Sequence, residues 1–289
     1  RPARERGEQT LTETLCWLWN AICAPVLDTV DPAPGQRMWW IPTGLLGFLP
    51  LHAASGRTAG ESTLDRVVSS YAPSVRTLAH ARATAGGRPS APSIVVGMPH
   101  TPDAPELSDL PGVLRESALV ARRAPQARVL IGSAATADAV TAALQDSAWA
   151  HFACHAVTAA SPSDSRLLLY DHDQRPLTAA TVSRLRLDRA ALAYLSACHT
   201  AEPTADLADE VIHIASAFHI AGYPHVIGTL WAVNDLAAST IAELVYYELT
   251  NDHPDPHRAP SALHNAVTRV RKIHPHEPSL WASHIHIGI

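Results

Sequence analysis

A chain of 289 residues with 47% apolar residues, a mean hydropathy near zero and a net charge of −5 has the profile of an ordinary globular protein with room for a sizeable core. That charge supplies neither the basic footprint of a nucleic-acid binder nor a polybasic stretch for a membrane surface. Its apolar runs break at Pro, Gly, His or Asn well short of the roughly 18 residues a membrane-spanning helix needs. Neither nucleic acid nor a membrane is expected as a partner.

Four cysteines, Cys16, Cys23, Cys154 and Cys198, are too few for a disulfide framework, and none forms a C-x-x-C pair. A reducing, cytoplasmic setting is the expectation. The polar start Arg1-Pro-Ala-Arg-Glu-Arg6 lacks the form of a signal peptide, and a first residue other than Met suggests further sequence upstream.

From the N-terminus, Leu11, Leu15, Leu18, Trp19, Ile22, Val26 and Leu27 recur at helical spacing and predict a core-facing helix over 9–30. Arg37 to Ile41 reads as a strand, Pro42-Thr-Gly44 as a turn and Leu45 to Ala54 as a second apolar segment. A strand over 66–71 and a helix over about 73–82 follow. The breaker-rich run Gly86-Gly-Arg-Pro-Ser-Ala-Pro92 is the clearest boundary, dividing an N-terminal part (1–87) from a core (93–289).

Beyond it strands and helices alternate. Strands are expected at 93–97, 128–131, 148–154, 191–197, 225–231 and 281–287. The expected helices cover 111–124, opened by Pro111, and 136–146, capped by Thr136. Others cover 208–222, closed by Gly222, 235–250 and 260–273, and a small excursion with its own helix follows 166–170. This alternation predicts an α/β fold with a mostly parallel central sheet and helices on both faces, carrying an N-terminal helical and β-hairpin extension.

Two of the apolar runs stop at reactive side chains, Trp149-Ala-His-Phe-Ala-Cys-His155 and Ala191-Leu-Ala-Tyr-Leu-Ser-Ala-Cys198. If the strands lie side by side and parallel, His155 and Cys198 meet at their carboxyl ends, where open α/β sheets build sites. A free thiol is mostly protonated at neutral pH, so an adjacent imidazole is its usual activator. Against this stands the ordinary reading of a cysteine among apolar residues as inert core.

Cys154 falls on the opposite face of its strand from His155 and is expected to be buried. His151 and His199 compete for the role of base. His151 lies deeper in the sheet, however, and neighbours such as Cys198 and His199 diverge on an extended chain. His151, Cys154, His155, Cys198 and His199 would suffice for zinc in number, but their spacing converges on a helix and not on strands, so no metal and no cofactor are expected.

The nearest acids to the presumed cleft are Asp206, Asp209, Glu210 and Asp235. Asp209 and Glu210 suit the start of the 208–222 helix. Asp235 suits either the cap of the next helix or a contact to a basic substrate side chain.

Five segments together resemble a CHAT domain, the caspase-like and separase-like domain often attached to repeats in bacterial proteins. They are Ile41 to Ala54, His151-Phe-Ala-Cys-His155, Leu195-Ser-Ala-Cys-His-Thr200, Phe218 to Trp231 and Leu280 to Gly288. The resemblance covers about residues 10 to 289. It implies a caspase-like fold and a cysteine endopeptidase acting on a protein or peptide substrate through His155 and Cys198. It also implies an oxyanion held by backbone N–H groups at Ala156 and Cys198. Ala156 stands where the family commonly has Gly, which puts strain there if φ is positive. His199 stands where a polar or acidic residue is common, and with Asp206 and Asp235 it joins the residues expected to line the substrate pocket. Since separases select basic residues, an Arg or Lys preference through Asp235 is one implication, and control by an upstream repeat or sensor region is another. The competing expectation is a CHAT-like scaffold or protein-interaction module with an inert dyad.

Overall fold

The computed structural model describes residues 2–58, 60–84, 92–157, 159, 161–199 and 211–289. Its centre is a ten-stranded sheet. The strands are β1 (Gln36–Trp40), β2 (Val67–Tyr71), β3 (Ser93–Gly97), β4 (Arg128–Ile131), β5 (Trp149–Val157), β6 (Arg166–Leu167), β7 (Leu177–Thr178), β8 (Leu192–His199), β9 (His225–Thr229) and β10 (His284–Gly288). The main path runs β1-β2-β10-β9-β8-β5-β3-β4, with the short β6 and β7 attached beyond β5.

Neighbours along this path are parallel except at one joint, where β10 runs antiparallel to β9. The sheet therefore consists of two parallel blocks of opposite direction. The N-terminal extension is not the β-hairpin expected from the sequence, because β1 and β2 are joined by a long connection and pair in parallel. This block of residues 36–71 joins the larger one through β10, by the single register pair Ile287↔Tyr71. Side chains tighten that joint. His286 Nδ1 lies 2.9 Å from Ser70 Oγ, and Trp39 Nε1 donates to the Gly288 carbonyl at 2.8 Å.

Period-two alternation sorts side chains into two cores, one on each face. Ala150, Phe152 and Cys154 of β5 with Ala193 and Leu195 of β8 pack under α6 (Ala137–Asp146), α7 (Ala179–Ser183) and α8 (Val211–Ala221). Trp149 of β5 with Leu192 and Tyr194 of β8 face α5 (Gly112–Arg123), α9 (Asp235–Thr250) and α10 (Ala259–Ile273). Thr136 caps α6 by accepting from Ala139 N at 3.3 Å, and Gly222 closes α8 at φ 129°.

The helix predicted over 9–30 is interrupted. Helix α1 (Pro2–Leu18) passes through a π turn, Trp19–Cys23, into α2 (Ala24–Val30). Pro25 has no N–H to continue the regular ladder, and Ala24 N instead reaches back five residues to the Trp19 carbonyl. The N-terminal part is completed by α3 (Thr63–Arg66) and α4 (Val75–Thr84). Among the described residues no helix is long and apolar enough to cross a membrane.

Several histidines are sealed in this fold without an acid beside them. Desolvation is the first cause that lowers His52 and His225 to about 3 and His284 to about 4, and it takes His286 well below its ordinary value. Neighbouring imidazoles add to the effect for His52, His225 and His286. His225 Nδ1 lies 3.2 Å from His286 Nε2, and its Nε2 lies 3.2 Å from His257 Nδ1. Each lowered group binds a proton in the unfolded chain near pH 6.5 but not in the folded one. Stability is therefore full above that pH and falls as pH drops toward the folded values, by about 1.4 kcal/mol per pH unit for each group. Urea unfolding should show a lower midpoint at pH 5.5 than at pH 7.5; equal midpoints would show that these imidazoles are not linked to folding.

Candidate active site

Strands β5 and β8 pair in parallel from Trp149↔Leu192 to Ala156↔His199, and within that register His155 and Cys198 are Cα partners. Neither strand stops at its reactive residue. Beyond His155, Ala156 and Val157 pair antiparallel with Leu167 and Arg166 of β6, while β8 runs on to His199. The backbones of Cys198 and His199 are described but their side chains are not, and Asp206, Asp209 and Glu210 lie outside the described residues.

His155 is 5% exposed, and its ring has a defined partner. Nε2 lies 2.8 Å from the Ser108 carbonyl. A carbonyl only accepts, so Nε2 is the donor and carries the proton. Nδ1 has no hydrogen-bond partner among the described residues and in the neutral ring presents a lone pair. One backbone oxygen thus fixes which nitrogen can act as a base.

That oxygen is itself held in place. Residues 98–111 leave the carboxyl end of β3 and return to α5. Met98 N donates to the Ala153 carbonyl at 2.9 Å, Leu110 N closes on the Pro99 carbonyl at 2.9 Å, and His172 Nε2 bonds the Pro102 carbonyl at 2.8 Å. At the end of this loop Gly112 N donates to Asp235 Oδ2 at 2.5 Å.

Asp235, the first residue of α9, therefore places its carboxylate on the N-terminal dipole of α5 rather than capping its own helix. The cap of α9 is Asn234, whose Oδ1 accepts from Leu236 N at 3.1 Å and Ala237 N at 3.3 Å. A Cβ on residue 112 would come within 2.5 Å of Asp235 Oδ2, so glycine permits this approach.

Ala156 does not occupy the left-handed region. The positive φ that would put strain on Ala156 does not arise, because the residue is extended within β5 and needs no glycine. Cys154 is fully buried on the far face. His151, 1% exposed, lies 3.0 Å by Nε2 from Oε1 of Glu116 on α5. Among the described residues no group of three or more His, Cys, Asp or Glu is disposed to hold a metal.

Sequence reasoning found the two strands and their register partners but missed Ser108 and Glu116. A main-chain carbonyl leaves no trace in residue type, and Glu116 reads as one more polar position of an amphipathic helix.

The CHAT domain family model matches residues 12–289. A search of curated proteins gave no match. Among solved structures, separase of Saccharomyces cerevisiae in its complex with securin is similar with a TM-score of 0.60 at 12% identity. The match covers 88% of this chain and 15% of that one. The Arg-specific cysteine proteinase gingipain R is similar with a TM-score of 0.54 at 10% identity, covering 82% of this chain and 58% of that one. The chain thus spans a small part of separase and somewhat over half of gingipain R, and these likenesses establish a caspase-like α/β fold.

Asp235→Ala should lower unfolding free energy by about 0.5–2 kcal/mol, the usual weight of a helix N-terminal cap. Gly112→Ala, which pushes the carboxylate away, should cost a similar amount, and the double variant should cost less than the sum. Strict additivity in urea denaturation would show that the contact has no energetic weight.

Proposed function

Because this chain belongs to the CHAT domain family, whose caspase-like fold it shares with cysteine peptidases, we propose that it is a cysteine endopeptidase working through His155 and Cys198. The observation that carries this reading is the ladder register that makes those two residues Cα partners. The Ser108 carbonyl on Nε2 supports it, since it leaves Nδ1 of His155 as the base.

In this reading Nδ1 takes the Cys198 thiol proton and the thiolate attacks the substrate carbonyl carbon. The C–N bond then breaks as the imidazolium returns its proton to the departing amine. Water, deprotonated by the same nitrogen, hydrolyses the thioester. The backbone N–H groups of Ala156 and Cys198 are the proposed oxyanion donors. Ala156 is in register with both His199 and Leu167, so its contribution requires the end of the ladder to yield to substrate.

Asp235, Asp206 and His199 are the proposed substrate contacts, Asp235 through Oδ1 since its Oδ2 accepts from Gly112 N. Gingipain R is an Arg-specific cysteine proteinase, and an acid at position 235 suits an Arg or Lys side chain before the scissile bond. Peptide and protein substrates, and control by an upstream repeat or sensor region in a cytoplasmic setting, complete the proposal.

Iodoacetamide provides the first test. Cys198 should label faster than Cys16, Cys23 and Cys154, and His155→Ala should slow that labelling by on the order of tenfold or more. Cys23 is a suitable internal control because burial pushes its thiol up to about 11. A peptide-library digest should yield products with wild type and none with Cys198→Ala, with cleavage after Arg or Lys. Equal, slow labelling of all four thiols would instead support an inert scaffold.

A further inference from the structure

Beneath the candidate dyad, on the same face of the sheet, lies a buried polar cluster that the mechanism above does not use. Its centre is the pair Glu116 and His151, 2% and 1% exposed. Oε1 approaches Nε2 to 3.0 Å off the hydrogen-bond axis, and neither atom has a better hydrogen-bond partner among the described residues. Ser239 Oγ donates to the Asp235 carbonyl at 2.9 Å and also lies 3.4 Å from Glu116 Oε2. The Tyr194 ring lies over His151 with centroids 5.0 Å apart and planes 32° apart, and Tyr246 meets His151 edge-on at 5.5 Å.

The cluster draws on β5, β8, α5 and α9, which carry or directly follow residues of the described part of the site. Glu116 belongs to α5, whose preceding loop presents the Ser108 carbonyl. His151 lies on β5, four residues before His155 and hence on the same face. Tyr194, in register with His151, lies on β8 four residues before Cys198. Ser239 and Tyr246 lie on α9, which begins at Asp235.

Burying a carboxylate beside an imidazole is weak as a source of stability, because desolvation offsets the attraction, and apolar side chains of similar volume often serve as well. What an apolar filling cannot supply is the close polar approach of Glu116 Oε1 to His151 Nε2 between helix and strand. We propose that Glu116 and His151 are positioning residues for His155: their contact fixes α5 against β5 and so holds the Ser108 carbonyl at hydrogen-bonding distance from Nε2. This rests on the peptidase reading only for its consequence in catalysis. The geometric effect stands independently of it.

The test uses ¹⁵N-histidine-labelled protein, with the His155 signals assigned through His155→Ala, alongside iodoacetamide labelling of Cys198 at pH 7. Wild-type His155 should be a single tautomer with its proton on Nε2. The double variant Glu116→Leu/His151→Leu should keep or raise its thermal midpoint, yet show His155 as a tautomer mixture. Its Cys198 labelling should fall by on the order of tenfold to a hundredfold, the scale expected when a reacting group is misplaced by about an ångström. An unchanged tautomer in the folded double variant would overturn the proposal. Should that variant fail to fold, Glu116→Gln keeps the shape and replaces the carboxyl group: tautomer mixing supports the positioning role and a wild-type spectrum refutes it. If the tautomer mixes but wild-type labelling never depended on His155, the peptidase reading fails and the positioning role survives.

Discussion

Everything at the candidate site depends on the parallel ladder between β5 and β8. Parallel pairing keeps the two strands pointing the same way, so their carboxyl ends arrive at one edge of the molecule. A slip of one residue would pair His155 with Ala197 or His199 and turn the paired side chains to opposite faces. Burial of both faces prevents that slip. Phe152 and Cys154 are committed to one core and Trp149 and His151 to the other. The packing that stabilises the fold is thus the same packing that sets the register of the site.

Around this ladder main-chain groups hold the polar side chains in place. Ser108 orients the imidazole with its carbonyl, and Gly112 offers its N–H to Asp235. Both groups lie on or next to one connection, 98–111, which leaves β3 and enters α5. That connection is tied back to β5 through Met98 and to the 171–175 turn through His172. Its position is set from several directions, which is what precise orientation of a small ring requires.

Much of this was legible in the sequence. Apolar runs bounded by Gly and Pro located β3, β4, β5 and β8 to within a few residues, and Thr136 announced the start of α6. The juxtaposition of His155 and Cys198 was conditional on the two runs being adjacent parallel strands, and β5 and β8 are neighbours with those two residues as Cα partners. The features that escaped depend on contacts across long sequence distances or on the main chain. Asp235 and Gly112 are 123 residues apart, and no local pattern says that an acid opening one helix will cover the N-terminus of another. The π turn was hidden because Pro25 sits inside an otherwise continuous apolar stripe. The Ser108 carbonyl would have been offered equally well by another residue type.

The joint at β10 has a kinetic meaning. Strands β1 and β2 cannot enter the sheet until residues 284–288 are in place beside β9, and the bond between Ser70 and His286 closes a loop of 216 residues. Such non-local pairing is slow to form, because the entropy of closing the loop is lost before the contacts are gained. During synthesis the larger parallel block can assemble while the N-terminal strands wait with unpaired edges. Strand β10 then acts as a latch that completes the sheet, and until it closes the edges of β2 and β9 stay open to pairing with other chains.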